Sequence, residues 1–344
     1  MPHHRLVPTL LVAGAAAFAL GGCGSSDSGG SGSGSGGSGK GSAAGKKVVF
    51  LTCPTSNPNC AALNSTIVDA LKQAGTKVTK LENDFDPAVQ VQQFNQAIAQ
   101  KPDAILLEAT DSKSMVPSIR KAKAAGVKVI NMDGPADPAA EEDVAVQILP
   151  DNEELGRFAA QNIVEGLKAE GRKTANVIAI TGTKASLITE DRMKGFDEEL
   201  AKTPEYKSVA VEDGDWDAVK SGKIAQELFA KFGSQGGVQA AYGMADYQAV
   251  PIVQAAKQAG LKVGAADDGL IVTGSNCTKT GVEAIRKGDM YGTATADPGT
   301  QGADTAKWVV KYLQGDDVSK LVILKNDRVT KKNVGEFFDL CAVS

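Results

Sequence analysis

The side chains that most often carry enzyme chemistry are scarce in this sequence, and histidine is the clearest case. The 344-residue chain has two histidines, His3 and His4, both within its first four residues. That end of the chain has the features of a removable signal segment, so we expect the mature protein to contain no histidine. It would then lack Ser-His-Asp and Cys-His nucleophile systems and most kinds of zinc site. The composition counts against an enzyme without excluding one.

The first 45 residues have the order of a secretory signal. Arg5 precedes an apolar run over residues 6–20, which is shorter than the ~20 apolar residues that span a bilayer. The run ends in Leu20-Gly21-Gly22-Cys23, which resembles a bacterial lipobox, and a Gly/Ser-rich tract follows. We therefore expect a signal peptide over residues 1–22, a lipid on Cys23 and a flexible tether over residues 23–45. The protein would be extracytoplasmic and anchored to the cell membrane. An ordinary cleaved signal peptide and a weak membrane anchor are the alternatives.

Four further cysteines remain in the exported part of the chain, and they allow three pairings. In an oxidising compartment two disulfides are expected. Cys53 and Cys60 are close enough in sequence to close a small loop, and a Cys277–Cys341 bond would then tie the C-terminal tail to an internal loop. Free buried thiols are the alternative. A zinc site is disfavoured because the sequence has no CxxC motif and no partner histidine.

Charge and length set broad limits on the rest of the chain. The 37 basic and 41 acidic residues give a formal net charge of −4, so nothing resembles the basic face that nucleic-acid binding needs. About 300 residues follow the tether, enough for one large domain or two medium lobes at ~100–200 residues per domain. A hydrophobic content of 42% can build substantial cores.

Two successive α/β units follow residue 46. Short apolar runs alternate with amphipathic helical patterns, and the strand patterns lie at residues 48–51, 77–81, 104–107, 127–130, 177–180, 209–211, 238–242 and 270–272. Runs that are apolar on both faces predict parallel sheets covered on both sides. The predicted fold class is therefore α/β, with two doubly wound parallel-sheet lobes. Ligands of such sheets bind at the carboxyl ends of the strands, so two lobes can enclose a ligand in a cleft.

Several local patterns occur in the order and spacing of a known family. They include Ser56-Asn57-Pro58 after the first strand, Asp133 after the fourth, an Arg-x-x-Gly-Phe motif at 192–196, and the Gly-rich stretch at 281–298. On these motifs, residues 46 to about 332 resemble the periplasmic solute-binding proteins of sugar ABC transporters, of the ribose-binding type. The resemblance implies a type I periplasmic binding protein fold with a multi-strand hinge. It assigns residues 46–151 and 297–325 to the N-terminal lobe, and residues 152–296 and 326–344 to the C-terminal lobe.

The resemblance also implies a set of ligand-binding residues. Asp133 is at the position of the main N-lobe carboxylate, which accepts hydrogen bonds from sugar hydroxyls. Arg192 is at the position of the C-lobe arginine, whose planar fork donates to ligand oxygens. Trp216 is where the family stacks an aromatic ring on the sugar. The other expected contacts are Asn57, Asn59, Asp246 and Asn276. No cofactor and no metal are implied.

Each of these residues also has a plainer interpretation. Asp133 could cap a loop, Arg192 could be a surface charge and Trp216 could belong to the core. Asn57 and Asn276 could be ordinary turn residues. The sequence also departs from the family: Asn59 and Cys60 replace stacking aromatics, Gly134 replaces an arginine, Ala245 an amide and Ala296 a glutamine. A less aromatic, more amide-rich cleft would suit an acyclic polyol or a small sugar other than ribose.

Three classes of function remain at this point. The first is a membrane-tethered, monomeric solute-binding lipoprotein that delivers a sugar or polyol to the permease of an ABC importer. The second is a sensor of the same fold that reports to a membrane receptor. The third is an exported carbohydrate-active enzyme that uses Asp133 and Asp246 as paired carboxylates. The resemblance favours the first, and the protein is expected not to be an enzyme.

Overall fold

A computed structural model describes residues 41–266 and 268–342 of the chain. The predicted signal peptide, Cys23 and most of the predicted tether lie outside the described residues. Within the described part, no helix has both the length and the apolar character needed to cross a membrane.

Strands and helices alternate along most of the chain. The first part contains β1 (Lys47–Thr52), α1 (Pro58–Gln73), β2 (Lys77–Glu82), α2 (Pro87–Ala99), β3 (Ala104–Glu108), α3 (Ser112–Ala124), β4 (Lys128–Met132) and β5 (Val146–Pro150). The middle part contains α4 (Asn152–Ala169), β6 (Ala175–Thr181), α5 (Leu187–Leu200), β7 (Tyr206–Asp213), α6 (Ala218–Phe232), β8 (Ala240–Gly243), α7 (Asp246–Gln258), β9 (Ile271–Thr273), α8 (Lys279–Lys287) and β10 (Gly292–Ala294). The last part contains α9 (Pro298–Leu313), β11 (Leu321–Leu324), β12 (Arg328–Thr330) and α10 (Val334–Cys341).

The strands form two six-stranded sheets, which confirms the predicted fold class. The first sheet has the order β11-β5-β4-β3-β1-β2, and the second has the order β12-β10-β9-β8-β6-β7. All neighbouring strands are parallel except β10 and β12, which are antiparallel. Most strands are followed by an α-helix, which gives the crossover that parallel pairing requires. Equivalent strand ends therefore lie along one edge of each sheet.

Strand β1 shows why the sheets need helices on both faces. Val48 and Phe50 point into one apolar cluster, and Val49 and Leu51 point into the cluster on the opposite face. Successive side chains of a strand alternate between faces, so a strand that is apolar throughout is buried on both. The second sheet likewise lies between two clusters.

Side-chain caps fix where most of the helices begin. A side-chain oxygen accepts a hydrogen bond from a first-turn backbone N–H in seven helices, which compensates for a missing intrahelical partner. The capping residues are Asn57, Asp86, Asp111, Asp151, Asp217, Thr278 and Asp297. Several of these caps lie just beyond strand ends, so the same short loops start the helices and surround the site.

The chain crosses between the two sheets three times, after β5, after β10 and after β11. Hydrogen bonds join the three crossings. The side-chain amide of Asn326 donates to the carbonyl of Asp151 over 3.0 Å, and the backbone N–H of Thr295 donates to the carbonyl of Asp327 over 2.8 Å. We propose lobe boundaries at these crossings, at 151/152, 296/297 and 325/326.

The described residues include two disulfides, Cys53–Cys60 and Cys277–Cys341. The first connects the end of β1 to the first turn of α1. The second connects α10 to the loop after β9 in the core of the second lobe, where both cysteines are buried. This is the pairing favoured by the order of the cysteines in the sequence.

Candidate functional site

The main candidate site is a cavity between the carboxyl ends of the strands of both sheets. The first lobe contributes Cys53, Asn57, Asn59, Cys60, Phe85, Glu108, Ala109, Thr110 and Asp133. The second lobe contributes Thr183, Ser186, Ile188, Arg192, Trp216, Tyr247 and Asn276. These residues lie at the carboxyl ends of eight different strands or in the loops and helices after them, which is where open α/β sheets bind ligands.

Six of the seven predicted ligand-binding residues line this cavity: Asn57, Asn59, Asp133, Arg192, Trp216 and Asn276. Asp133, Trp216 and Asn276 have φ angles of 66°, 56° and 82°, in the left-handed region that non-glycine residues rarely adopt. Such backbone conformations concentrate at binding sites, because the surrounding structure must hold them in place.

Asp133 lies at the turn after β4 and is held from both lobes. Its Oδ1 accepts a 2.6 Å hydrogen bond from the side-chain amide of Gln301, in the helix α9 of the first lobe. Its backbone carbonyl accepts a 3.1 Å bond from the side chain of Asn152, in the second lobe. Burial raises the pKa of Asp133, while the Gln301 hydrogen bond and the positive charge of Arg192 act in the opposite direction.

Glu108 is a second carboxylate in the same cavity, at the end of β3. Its Oε2 lies 2.6 Å from the hydroxyl of Thr52 and 3.4 Å from the backbone N–H of Cys53. Burial, and then the negative charge of Asp133, raise the pKa of Glu108 to about 7. Two carboxylates that share one site seldom both ionise at neutral pH, because their like charges repel.

Arg192 is a buried cation on α5, held in a fixed position by three neutral acceptors. Its Nε donates to Asn152 over 2.9 Å, and its Nη1 donates to the carbonyl of Met244 over 2.9 Å and to Asn276 over 3.0 Å. The guanidinium carbon also lies 5.7 Å from the centre of the Trp216 ring, within cation–π range. Arg192 is therefore not a surface charge, and Asn276 acts mainly by positioning it.

Trp216 lies against backbone, which explains the glycine opposite it. A Cβ atom on Gly182 would be 1.9 Å from the Trp216 ring, so no other residue fits at position 182 without moving the indole. The ring is partly buried against the second core and partly open to the cavity. It can stack on the apolar face of a small ring while Arg192 lies beside it.

The two asparagines of the first loop have different roles. Asn57 caps α1 by accepting hydrogen bonds from the backbone of Asn59 and Cys60, and its amide nitrogen lies 3.4 Å from the carbonyl of Trp216 in the other lobe. Asn59 has a buried side-chain oxygen that finds no hydrogen-bond partner among the described residues. Buried acceptors are nearly always satisfied, so a ligand hydroxyl is the natural partner for Asn59.

The structure places Asp246 outside the cavity. Its carboxylate lies in the core of the second lobe and accepts 2.7 Å bonds from the backbone N–H of Thr278 and the hydroxyl of Thr293. A Cβ atom on Gly274 or Gly281 would lie 2.1 Å from a carboxylate oxygen of Asp246, so the group is enclosed. The expectation that Asp246 contacts a ligand is corrected accordingly. Since successive helical side chains point ~100° apart, it is the next residue, Tyr247, that reaches the cavity.

The cavity residues that sequence reasoning missed include Glu108, Phe85 and Tyr247. Glu108 ends β3, Phe85 follows β2 and Tyr247 lies at the start of the helix after β8. The position of Glu108 at the carboxyl end of a buried strand is a signal that could have identified it. The two aromatics also correct the expectation of a cleft poor in aromatic side chains. Burial raises the pKa of the Tyr247 phenol to about 12, so it remains a neutral hydroxyl.

The cavity does not offer a metal site of the usual kind. Potential ligand atoms of Cys53, Cys60 and Glu108 lie within 4.8 Å of one another. The two sulfur atoms are joined in a disulfide, and metals are bound by free thiolates. What the cavity offers instead is carboxylate, amide and guanidinium groups beside aromatic rings, a combination that binds polar, hydroxyl-rich molecules.

Comparison with known proteins agrees with this geometry. The periplasmic binding protein domain family matches residues 48–317. The xylitol-binding protein of Mycolicibacterium smegmatis is 25% identical over 72% of this chain and 67% of its own. The ribose import binding protein RbsB of Haemophilus influenzae is 26% identical over 80% of this chain and 89% of its own. The crystal structure of a galactofuranose-binding protein superposes with a TM-score of 0.79 and 20% identity, covering 86% of this chain and 97% of the other.

Both the fold and the family match extend over the two lobes, and the cavity lies where the carboxyl ends of their strands meet. The chain belongs to the periplasmic binding protein family.

Proposed function

We propose that this protein binds a small, uncharged sugar or polyol in the interlobe cavity and delivers it to the permease of an ABC importer. The observation that carries the proposal is the convergence of Asp133 from one lobe and Arg192 from the other on a single cavity. A carboxylate accepts hydrogen bonds from hydroxyls, and a guanidinium donates to ring or hydroxyl oxygens. Together they can bind both kinds of group on one small polyol.

The lining supports a ligand with an apolar face as well as hydroxyls. Trp216, Tyr247 and Phe85 supply aromatic surface, and Asn59 supplies an unpaired acceptor. The relatives are named for xylitol, ribose and galactofuranose, which are a pentitol, a pentose and a hexose in furanose form. We infer the same size class for this protein.

Binding is expected to couple to closure of the lobes. Contacts already cross the cleft, from Asn57 to Trp216 and from Asn152 to Asp133. A ligand that touches both lobes binds the closed form better than the open form, and shifts the population toward it. The closed monomer would then be the form that docks on the permease.

We further propose that a lipid on Cys23 holds the protein at the outer face of the cell membrane. The support is the order of charge, apolar run, Leu-Gly-Gly-Cys and Gly/Ser-rich tether in the sequence. Expression in a bacterial host with a labelled fatty acid tests it. The wild type should incorporate label and sediment with membranes, and Cys23→Ser should do neither. Equal labelling of the two proteins would contradict the anchor.

A thermal-shift screen of pentoses, hexoses and polyols, including xylitol and D-ribose, tests the ligand class. A ligand that binds only the folded state adds ~2.7 kcal/mol at one hundred times its Kd, so a hit should raise the unfolding temperature clearly. Asp133→Ala should abolish the shift, and Asp137→Ala, four residues away and not in the cavity lining, should retain it. If Asp133→Ala left the shift unchanged, the site assignment would be wrong.

A further inference from the structure

We propose that Glu108 stands in the cavity as an uncharged carboxylic acid, with its proton on Oε2, and that this sets the cavity's preference for uncharged ligands. The proposal deepens the proposed function, on which its statement about ligands rests. The protonation itself follows from a count of hydrogens around the hydroxyl of Thr52.

The Thr52 hydroxyl oxygen lies 2.6 Å from two acceptor-type oxygens, Oδ1 of Asn64 and Oε2 of Glu108. A hydroxyl has a single proton, so it can donate to only one of them. If Glu108 were ionised, one of these two short contacts would join two oxygens with no hydrogen between them. A proton on Glu108 removes the conflict, because Glu108 then donates to Thr52 and Thr52 donates to Asn64.

The orientation of the Asn64 amide excludes the alternative explanation, in which Asn64 is the donor to Thr52. Its nitrogen donates a 3.0 Å hydrogen bond to the backbone carbonyl of Cys53, and the side chain is fully buried. Turning the amide over would let it donate to Thr52, but it would place its oxygen 3.0 Å from the Cys53 carbonyl. Two carbonyl oxygens at that distance repel, and a buried carbonyl would lose its donor.

Apart from the backbone N–H of Cys53, a distant donor at 3.4 Å that favours the ionised form, the groups around Glu108 agree with a neutral acid. Asp133, after β4, carries a negative charge that disfavours ionisation of Glu108. Arg192 on α5 and the neutral phenol of Tyr247 on α7 lie in the same cavity lining. The groups that contact Glu108 from β1 and α2 are uncharged: Thr52, the backbone N–H of Cys53, and Gln90, whose amide donates to the carbonyl of Glu108. Asp111, at the start of α3, uses its carboxylate to cap Ser114.

Asp246 is the useful contrast, because it is also a buried carboxyl. Its partners are true donors, the backbone N–H of Thr278 and the hydroxyl of Thr293, and in the described part of the chain no second acceptor competes for the Thr293 proton. Donors of that kind favour a carboxylate. Burial still raises the pKa of Asp246 to about 7. Any titration must therefore separate Asp246 from Glu108.

A neutral Glu108 leaves Asp133 and Arg192 as one balanced charge pair in the cavity. An uncharged polyol then enters without changing the net charge of the cavity, and Oε1 of Glu108 can accept a hydrogen bond from one of the polyol hydroxyls. A second ionised carboxylate would instead make the cavity net negative and favour an ammonium-bearing ligand. Loss of the proton should therefore weaken the binding of neutral ligands.

The first test needs no ligand. Infrared difference spectra of the ligand-free protein, recorded between pH 5 and 8.5, should show the carbonyl stretch of a protonated carboxylic acid at pH 6 and its loss as pH rises through about 7. Glu108→Gln should remove the part of the band that persists in Asp246→Asn, and Glu82→Gln should leave the whole band unchanged. Glu82 is a suitable control because it lies outside the cavity, bonded to Thr55. An unchanged band in Glu108→Gln would overturn the proposal.

The second test uses the best-bound sugar or polyol of the screen. Glu108→Gln keeps the short contact with Thr52, since the amide can donate to the Thr52 hydroxyl and leave its oxygen toward the cavity, and it loses only the long 3.4 Å contact from the backbone N–H of Cys53. It should bind within about threefold of the wild type at pH 6, and its affinity should be constant up to pH 8.5. Wild-type affinity should fall by about tenfold per pH unit above 7. A flat wild-type profile, or a Glu108→Gln affinity more than thirtyfold lower at pH 6, would contradict the proposal. A screen without any hit would instead count against the proposed function, and the infrared result would stand.

Discussion

At the scale of single residues, the cavity separates side chains that face a ligand from side chains that hold them. Asp133, Asn59 and Trp216 present groups to the cavity. Asn152 does not line it, yet it joins the backbone of Asp133 to the guanidinium of Arg192. The precision of the site therefore depends on residues that no ligand would touch, as preorganised binding sites require.

Asp246 gives a direct test of that separation. Asp246→Ala would leave two buried donors, from Thr278 and Thr293, without their acceptor, at a cost of about 1–3 kcal/mol each. We expect the unfolding temperature to fall by several degrees in thermal denaturation. The conservative Asp133→Asn variant should unfold near the wild-type temperature and lose affinity instead. A normal unfolding temperature for Asp246→Ala would mean that this carboxylate is not a structural acceptor.

At the scale of elements, loops after parallel strands carry the site, and caps and disulfides fix the loops. Asn57 begins α1, and the Cys53–Cys60 bond fastens that turn to β1 beside the cavity. The Cys277–Cys341 bond instead fastens α10 to the core of the second lobe, away from the cavity lining. The two bonds thus serve different purposes.

Removing each disulfide should separate those purposes. A disulfide stabilises by about 2–4 kcal/mol, more for longer loops, and the two bonds close sequence separations of 7 and 64 residues. Cys277→Ala/Cys341→Ala should therefore lower the unfolding temperature more than Cys53→Ala/Cys60→Ala. The Cys53→Ala/Cys60→Ala variant should lose more ligand affinity in a titration, because these two residues line the cavity. The reverse ranking would contradict these roles.

The sequence predicted eight of the twelve strands in the described part of the chain, and the reason is local. Strands such as β1 and β3 are apolar on both faces, so their apolar runs are visible in the sequence. The six correctly predicted cavity residues came instead from the resemblance to a known family. Strands β10 and β12 have three residues each, and β11 keeps Leu321 and Ile323 exposed. These strands pair where the chain crosses between the lobes, so the periodicity of the sequence does not reveal them. Asp246 was misplaced because two adjacent helical positions face opposite environments.

At the scale of the whole molecule, the two lobes meet at a few small contacts that closure must form. Gly134, after β4 in the first lobe, is one of them. A Cβ atom there would lie 2.7 Å from Cγ1 of Ile188 in the second lobe. A site between two lobes is expected to open and close by hinge motion at the crossings.

Gly134→Val should obstruct closure without damaging either core. We expect at least tenfold weaker ligand binding and a smaller ligand-induced decrease in the radius of gyration, measured by small-angle X-ray scattering. Gly335→Val, in α10 where an added Cβ meets nothing within 4 Å, is the matched control and should bind as the wild type does. Full affinity in Gly134→Val would show that this contact does not limit closure.

The most direct measurement is a calorimetric titration of the best-bound sugar or polyol into the wild type, Asp133→Asn and Asp137→Asn. A hydrogen bond to a charged group contributes about 1.5–3 kcal/mol, and a loss of about 1.4 kcal/mol of binding free energy weakens affinity tenfold. We expect one site per chain, at least tenfold weaker binding in Asp133→Asn and unchanged binding in Asp137→Asn. Saturable binding that is equally strong in all three proteins, or chemical conversion of the sugar, would contradict this expectation.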